Sequence, residues 1–170
     1  QSLLLQQKKD MSNAFYKVPV AVNEPVTAYA PGSPEKTTLI NKYKELYSQS
    51  PIDIPMYIGG EEIRTNDKRQ MSPPHDHQKV LGHYNYGSTL HVEMAIEKAL
   101  EAKTEWANLP WEQRASIFLK AADLLAGPFR DRMNAATMLA QSKNVFQAEI
   151  DAACEMIDFF RFNVQYMTQV

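Results

Sequence analysis

The chain is poor in cysteine and glycine and has no long apolar run, and each shortage narrows what it can be. One cysteine, Cys154, among 170 residues excludes an internal disulfide framework and fits a reducing compartment. Cys154 falls mid-helix next to Glu155, and a neighbouring acid opposes thiolate formation, so the thiol reads as structural, not nucleophilic. Six glycines, with neither G-x-G-x-x-G nor G-x-x-x-x-G-K-[ST], leave no self-contained nucleotide cradle. No G-x-S-x-G elbow marks a serine nucleophile. No apolar stretch approaches the ~18 residues of a membrane span. A net charge of −2 lacks the basic excess of a nucleic-acid surface. His75, His77 and His83 are close in sequence, but a zinc site needs three or four well-placed ligands. Pro73, Pro74 and Asp76 make a solvated loop the better reading, so no metal site is expected.

What is present is enough for a core: 44% hydrophobic and 22% charged residues describe a folded chain, not a disordered tail. Residues 1–11 read as a tag or disordered end. Residues 12–52 read as an extended arm, punctuated by Pro19, Pro25 and Pro31, followed by a helix. Ser33-Pro34-Glu35 supplies that helix's cap, its first-turn proline and an acid near its N-terminus. Met56-Tyr57-Ile58 and Glu62-Ile63-Arg64 flank Gly59-Gly60-Glu61 and predict a hairpin. Residues 65–77 read as a polar loop and residues 79–86 as a strand. From Ser88 onward, periodicity predicts helices broken at Asn108-Leu109-Pro110, Gly127-Pro128 and Ser142. The expected inward face of the first includes Val92, Ile96 and Trp106; that of the second includes Ala115, Phe118 and Leu125. Short connections favour antiparallel neighbours. The fold class expected is α+β, mostly helical, with one hairpin and about five helices.

The last helix carries two stripes. Phe146, Ile150, Ala153, Ile157, Phe160, Val164 and Met167 form a complete core-facing set. Glu155, Phe159, Phe162 and Tyr166 fall within about 60° of one another on a second face. An acid aligned with aromatics on a face the core does not need suits a ligand with a cationic end and an apolar or planar body. Ordinary packing is the competing reading. Asp151, Glu155 and Asp158 together read as a solvated polar side, with Arg161 in reach of Asp158.

Certain runs also resemble a known family. Trp106, Arg114-Ala115 and FLKAADLLAGP (118–128) are similar to a segment that aldehyde dehydrogenases share. Asn23-Glu24-Pro25-Val26, Gly32-Ser33-Pro34-Glu35 and QAEIDAACEMIDFFRFN (147–163) resemble its 1-pyrroline-5-carboxylate dehydrogenase branch. The resemblance implies an NAD-dependent oxidation of glutamate-γ-semialdehyde to glutamate in proline breakdown. The branch's reaction runs by thiolate attack, hydride transfer and thioester hydrolysis. It further implies that residues 53–170 form the N-terminal portion of an NAD-binding domain, with the Rossmann core, the nucleophile and the general base lying elsewhere. Cys154 does not match the nucleophile. On this reading the 170 residues are an inactive N-terminal fragment that holds no NAD itself. The parent enzyme would be a homo-oligomer acting on a small molecule, without nucleic-acid or membrane partners. Its expected location is the cytoplasm, or the mitochondrial matrix in a eukaryote. The resemblance makes Glu155 a substrate-side acid near the amino group, with Phe159 and Phe162 as tunnel-wall candidates. The alternative is a stand-alone helical interaction module without catalysis.

Overall fold

The computed structural model describes residues 15–170; the first expected segment, 1–11, lies outside them. Residues 15–33 of the arm form no helix or strand, only a turn at Pro31-Gly32. Helix α1 (Pro34–Ser48) starts where its cap predicts, with the Lys36 amide donating to Ser33 Oγ at 3.3 Å. Five short strands follow: β1 (Ile52–Ile54), β2 (Met56–Ile58), β3 (Glu61–Ile63), β4 (Lys68–Met71) and β5 (Gly82–Asn85). Then come α2 (Thr89–Asn108), α3 (Trp111–Ala126), α4 (Arg130–Gln141), α5 (Val145–Ala148), a π-helical segment (Glu149–Cys154) and α6 (Glu155–Met167).

The hairpin is β2–β3, paired antiparallel with Ile58 opposite Glu61. Its turn is therefore Gly59-Gly60 alone, both at positive φ (61° and 86°), the geometry that glycine tolerates best. Residues 65–77 are not all loop. Within them β4 pairs antiparallel with β5, which also pairs in parallel with β1. Charged, exposed Lys68 and Arg69 hide this strand from a reading by hydrophobic alternation. It is an edge strand, where charge is common. Asn85 locks the sheet: its amide nitrogen donates to Asp53 Oδ1 (3.0 Å) and the Ile54 carbonyl (2.9 Å), while its oxygen accepts from the Thr65 amide (2.7 Å).

Two apolar clusters hold the helices. Tyr29, Leu39, Leu46, Leu81, Ala135 and Leu139 join the arm, α1 and α4. Ala122, Leu125 and Ile157, with Phe160 against them, join α3 to α6. Helix α2 stays outside both. None of its residues is buried, and Val92, Ile96 and Trp106, expected inward, are 58%, 56% and 42% exposed. Phe118 of α3 is likewise exposed, although its ring lies 6.2 Å from that of Phe160.

Candidate functional site: an acid and aromatic groove along the last helix

The π-helical segment decides which side chains face inward here. Buried Ala148 and Ala153 are five positions apart, as are buried Glu149 and Cys154. That spacing suits i→i+5 bonding, not an α-turn. The wider turn offsets what precedes it by about 100° relative to an unbroken α-helix. This explains the failure of the predicted core stripe at Phe146, which is 63% exposed. The same offset brings Glu149 onto the face of Ile157, where both are fully buried.

Glu149 is the centre of a polar network that the sequence reading did not find. Its carboxylate accepts from Arg130, from the Thr27 amide (2.8 Å), from Tyr29 Oη (2.9 Å) and from Asn134 Nδ2 (2.7 Å). Burial opposes ionisation of Glu149, but the Arg130 guanidinium and the three other donors outweigh it and hold the carboxyl down to about 2. Arg130 also pairs with Glu24 (2.5 Å), whose other oxygen pairs with Arg161 (2.6 Å). Arg161 thus reaches the arm and not Asp158, its expected partner. Burial, with the Glu149 carboxylate next to it, pushes the Cys154 thiol up to about 11. The cysteine read as structural from sequence is buried, but the acid beside its thiol is Glu149, not the adjacent Glu155.

The arm lies across this network and along α6. Three of its backbone amides donate to side chains: Ala21 to Gln165 (2.6 Å), Glu24 to Asp158 (2.7 Å) and Thr27 to Glu149 (2.8 Å). Lacking a sheet partner, the arm meets its hydrogen-bonding needs on the helix. Asp158 also accepts from Asn23 Nδ2 at 2.7 Å, so it clasps the arm and is not simply a solvated acid.

Between arm and helix runs an open groove of about 730 Å³, and Glu155, Phe159, Phe162 and Tyr166 all line it. Asn23 and Val26 form the arm's wall, and Cys154 also lines the groove. The rings of Phe162 and Tyr166 are 6.0 Å apart and tilted by 47°. Phe159 is 55% exposed, with Phe162 partly buried. Of the three acids on this side, Asp151 pairs with Lys143 at 2.8 Å and Asp158 clasps the arm. Glu155 is exposed and makes no ion pair or hydrogen bond through its side chain among the described residues. Chemically, the groove offers one uncommitted carboxylate beside aromatic walls. It can bind a cation attached to an apolar chain, and the one thiol along it, Cys154, is held protonated by burial and by Glu149.

Among the described residues, the glycines with a left-handed φ are not placed to cradle a pyrophosphate. Gly32, Gly59 and Gly60 have left-handed φ, but Gly32 follows an irregular arm and the other two form a hairpin tip. None joins a strand of a parallel βαβ unit to the first turn of a helix, the setting that cradles a pyrophosphate.

A small mixed sheet beside a helical layer, with an arm clasped to the last helix, is an arrangement with known relatives. The chain belongs to the aldehyde dehydrogenase family, which it matches over residues 63–170. Within that family it is similar to Delta-1-pyrroline-5-carboxylate dehydrogenases. It is 49% identical over 157 residues to that of Agaricus bisporus, a match covering 92% of this chain and 29% of that protein. It is 45% identical over 148 residues to the mitochondrial one of Homo sapiens, covering 87% and 26% respectively. A crystal structure of the Mycobacterium tuberculosis Delta-pyrroline-5-carboxylate dehydrogenase bound with NAD superposes with a TM-score of 0.89 at 48% identity. That match covers 93% of this chain and 30% of the other. The chain therefore spans less than a third of the length of these relatives.

Proposed function

We propose that these residues serve, within a longer polypeptide, an NAD-dependent dehydrogenase that oxidises glutamate-γ-semialdehyde to glutamate in proline breakdown. The observation that carries this reading is the close similarity to Delta-1-pyrroline-5-carboxylate dehydrogenases through the very helix that presents Glu155. In the proposed enzyme the groove between arm and α6 flanks the path of the aldehyde. Glu155 accepts charge-assisted hydrogen bonds from the substrate's ammonium group, in surroundings drier than bulk water. Phe159 and Phe162 wall the carbon chain, and Asn23 and Val26 close the opposite side. The arm positions this wall through Asp158, and the Glu149–Arg130 network beneath fixes the helix.

NAD, as hydride acceptor, belongs to parts of the enzyme beyond these residues, as do the nucleophile and the general base. The 170 residues alone are inactive on this reading. The enzyme is a homo-oligomer in the cytoplasm or, in a eukaryote, in the mitochondrial matrix, and it has neither nucleic-acid nor membrane partners. A direct assay tests the reading. The full-length protein should reduce NAD when given glutamate-γ-semialdehyde and yield glutamate, whereas residues 1–170 should do neither. Turnover of simple aliphatic aldehydes alone by the full-length protein would overturn the substrate assignment.

A further inference from the structure

One side chain ties the two walls of the groove together from behind. Arg130, the first residue of α4, belongs to neither wall and does not line the groove. Its Nη1 donates to the Glu24 carboxylate at 2.5 Å and its Nη2 to the Pro25 carbonyl at 2.8 Å. Both acceptors sit in the arm between Asn23 and Val26, which form one wall. On the other side the same guanidinium pairs with Glu149, and Nη2 lies 3.4 Å from Cys154 Sγ. Cys154 lines the groove and directly precedes Glu155. The Asp158 clasp reaches only Asn23 and Glu24. Beyond them, the Pro25 carbonyl and the Thr27 amide are held by Arg130 and Glu149. Stability alone does not call for a cation here. A positive charge in a helix's first turn is opposed by the helix dipole, and a buried ion pair adds little over apolar packing of the same volume.

We infer that Arg130 is a positioning residue that sets the width of the groove, and with it how closely the carbon chain of an aldehyde is held. The guanidinium is planar and its donors are rigidly disposed, so acceptors on the arm and on the helix are kept at a fixed separation. Arg130 touches no substrate. It holds Asn23 and Val26 at a set distance from Glu155 and Phe159 across the groove. When the clamp is lost the arm wall withdraws, and any aldehyde, charged or not, loses contact along one side of its chain. That separates the clamp from Glu155, whose part is confined to a substrate that carries an ammonium group. The inference rests on the reading of the groove as the path of the aldehyde.

Two variants of the full-length polypeptide test it. Arg130→Lys replaces the fork by a single point of charge. Glu24→Gln weakens the arm's side alone, leaves the Glu149–Arg130 pair in place, and serves if Arg130→Lys fails to fold. Amide hydrogen exchange should quicken about tenfold or more at Glu24 and Thr27, with the amides of Leu125 and Ile157 unchanged. KM should rise about fivefold or more for both glutamate-γ-semialdehyde and an uncharged aliphatic aldehyde of similar length, with kcat altered less than about twofold. Unchanged exchange in the arm would overturn the inference, as would an equal acceleration throughout α3 and α6, which marks a purely structural role. A fall in kcat at constant KM, or a rise in KM confined to the amino-acid aldehyde, would overturn it as well. If the unaltered full-length protein oxidises neither aldehyde, the substrate reading fails and exchange alone decides: release confined to the arm upholds the clamp, and its absence overturns it.

Discussion

Glu149 is fully buried and ionised, and four donors, two from the arm and two from α4, meet on it. Removing its charge leaves Arg130 with Glu24 as its one carboxylate partner, beside the Pro25 carbonyl. Breaking one side of a buried ion pair costs about 3–5 kcal/mol. Glu149→Gln should therefore lower unfolding free energy by roughly that amount in urea titrations, and a loss below about 1 kcal/mol would contradict the network's importance. The pH dependence has a definite sign. The carboxyl is held at about 2 in the folded state, below its unfolded value of about 4.3. Its contribution is complete above about pH 5 and is lost as pH falls through about 4 towards 2. Glu149→Gln should flatten that limb of the stability curve. Cys154 works in the opposite direction. Its thiol, pushed up to about 11 from about 8.5 when unfolded, should resist iodoacetamide at pH 8 in the folded protein and react promptly in guanidinium. Equal rates in the two conditions would show that the cysteine is not buried.

At the scale of elements, the arm is held by helix side chains, so its order depends on them. Asp158→Ala removes the acceptor for the Asn23 side chain and the Glu24 amide, at an expected cost of about 1–3 kcal/mol. Trypsin should then cut after Lys17 several-fold faster than in the unaltered protein, as followed by mass spectrometry. An unchanged cleavage rate would mean that the other arm contacts suffice. The sequence announces some elements and hides others for physical reasons. Ser33-Pro34-Glu35, Gly59-Gly60 and Asn108-Leu109-Pro110 each carry local backbone chemistry, and helices or turns begin there as predicted. Strand β4 is obscured because an edge strand tolerates Lys68 and Arg69 on its surface. The exposure of Val92 and Ile96 on α2 is invisible to periodicity, which reports an amphipathic face but not whether a partner covers it. The π-helical segment shifts the phase of the last helix, so Phe146 reads as core and Glu149 is overlooked. The five-residue step from Ala148 to Ala153 was the signal that could have revealed it.

For the molecule as a whole, the groove between arm and α6 brings together residues that the sequence had aligned on one face. Glu155, Phe159, Phe162 and Tyr166 line it as one surface. What the sequence could not supply was the other wall, since Asn23 and Val26 are more than a hundred residues away. Nor could it separate Glu155 from Asp151 and Asp158. That distinction comes from pairing, because the other two acids are committed to Lys143 and to the arm. The most direct test of the proposed role is a pair of KM values for the full-length enzyme and its Glu155→Ala variant, one for glutamate-γ-semialdehyde and one for an uncharged aliphatic aldehyde of similar length. If Glu155 meets the ammonium group, KM for the amino-acid aldehyde rises about tenfold or more, while that for the aliphatic aldehyde changes little. Equal shifts for both substrates, or none for either, would contradict the assignment of Glu155 to the substrate.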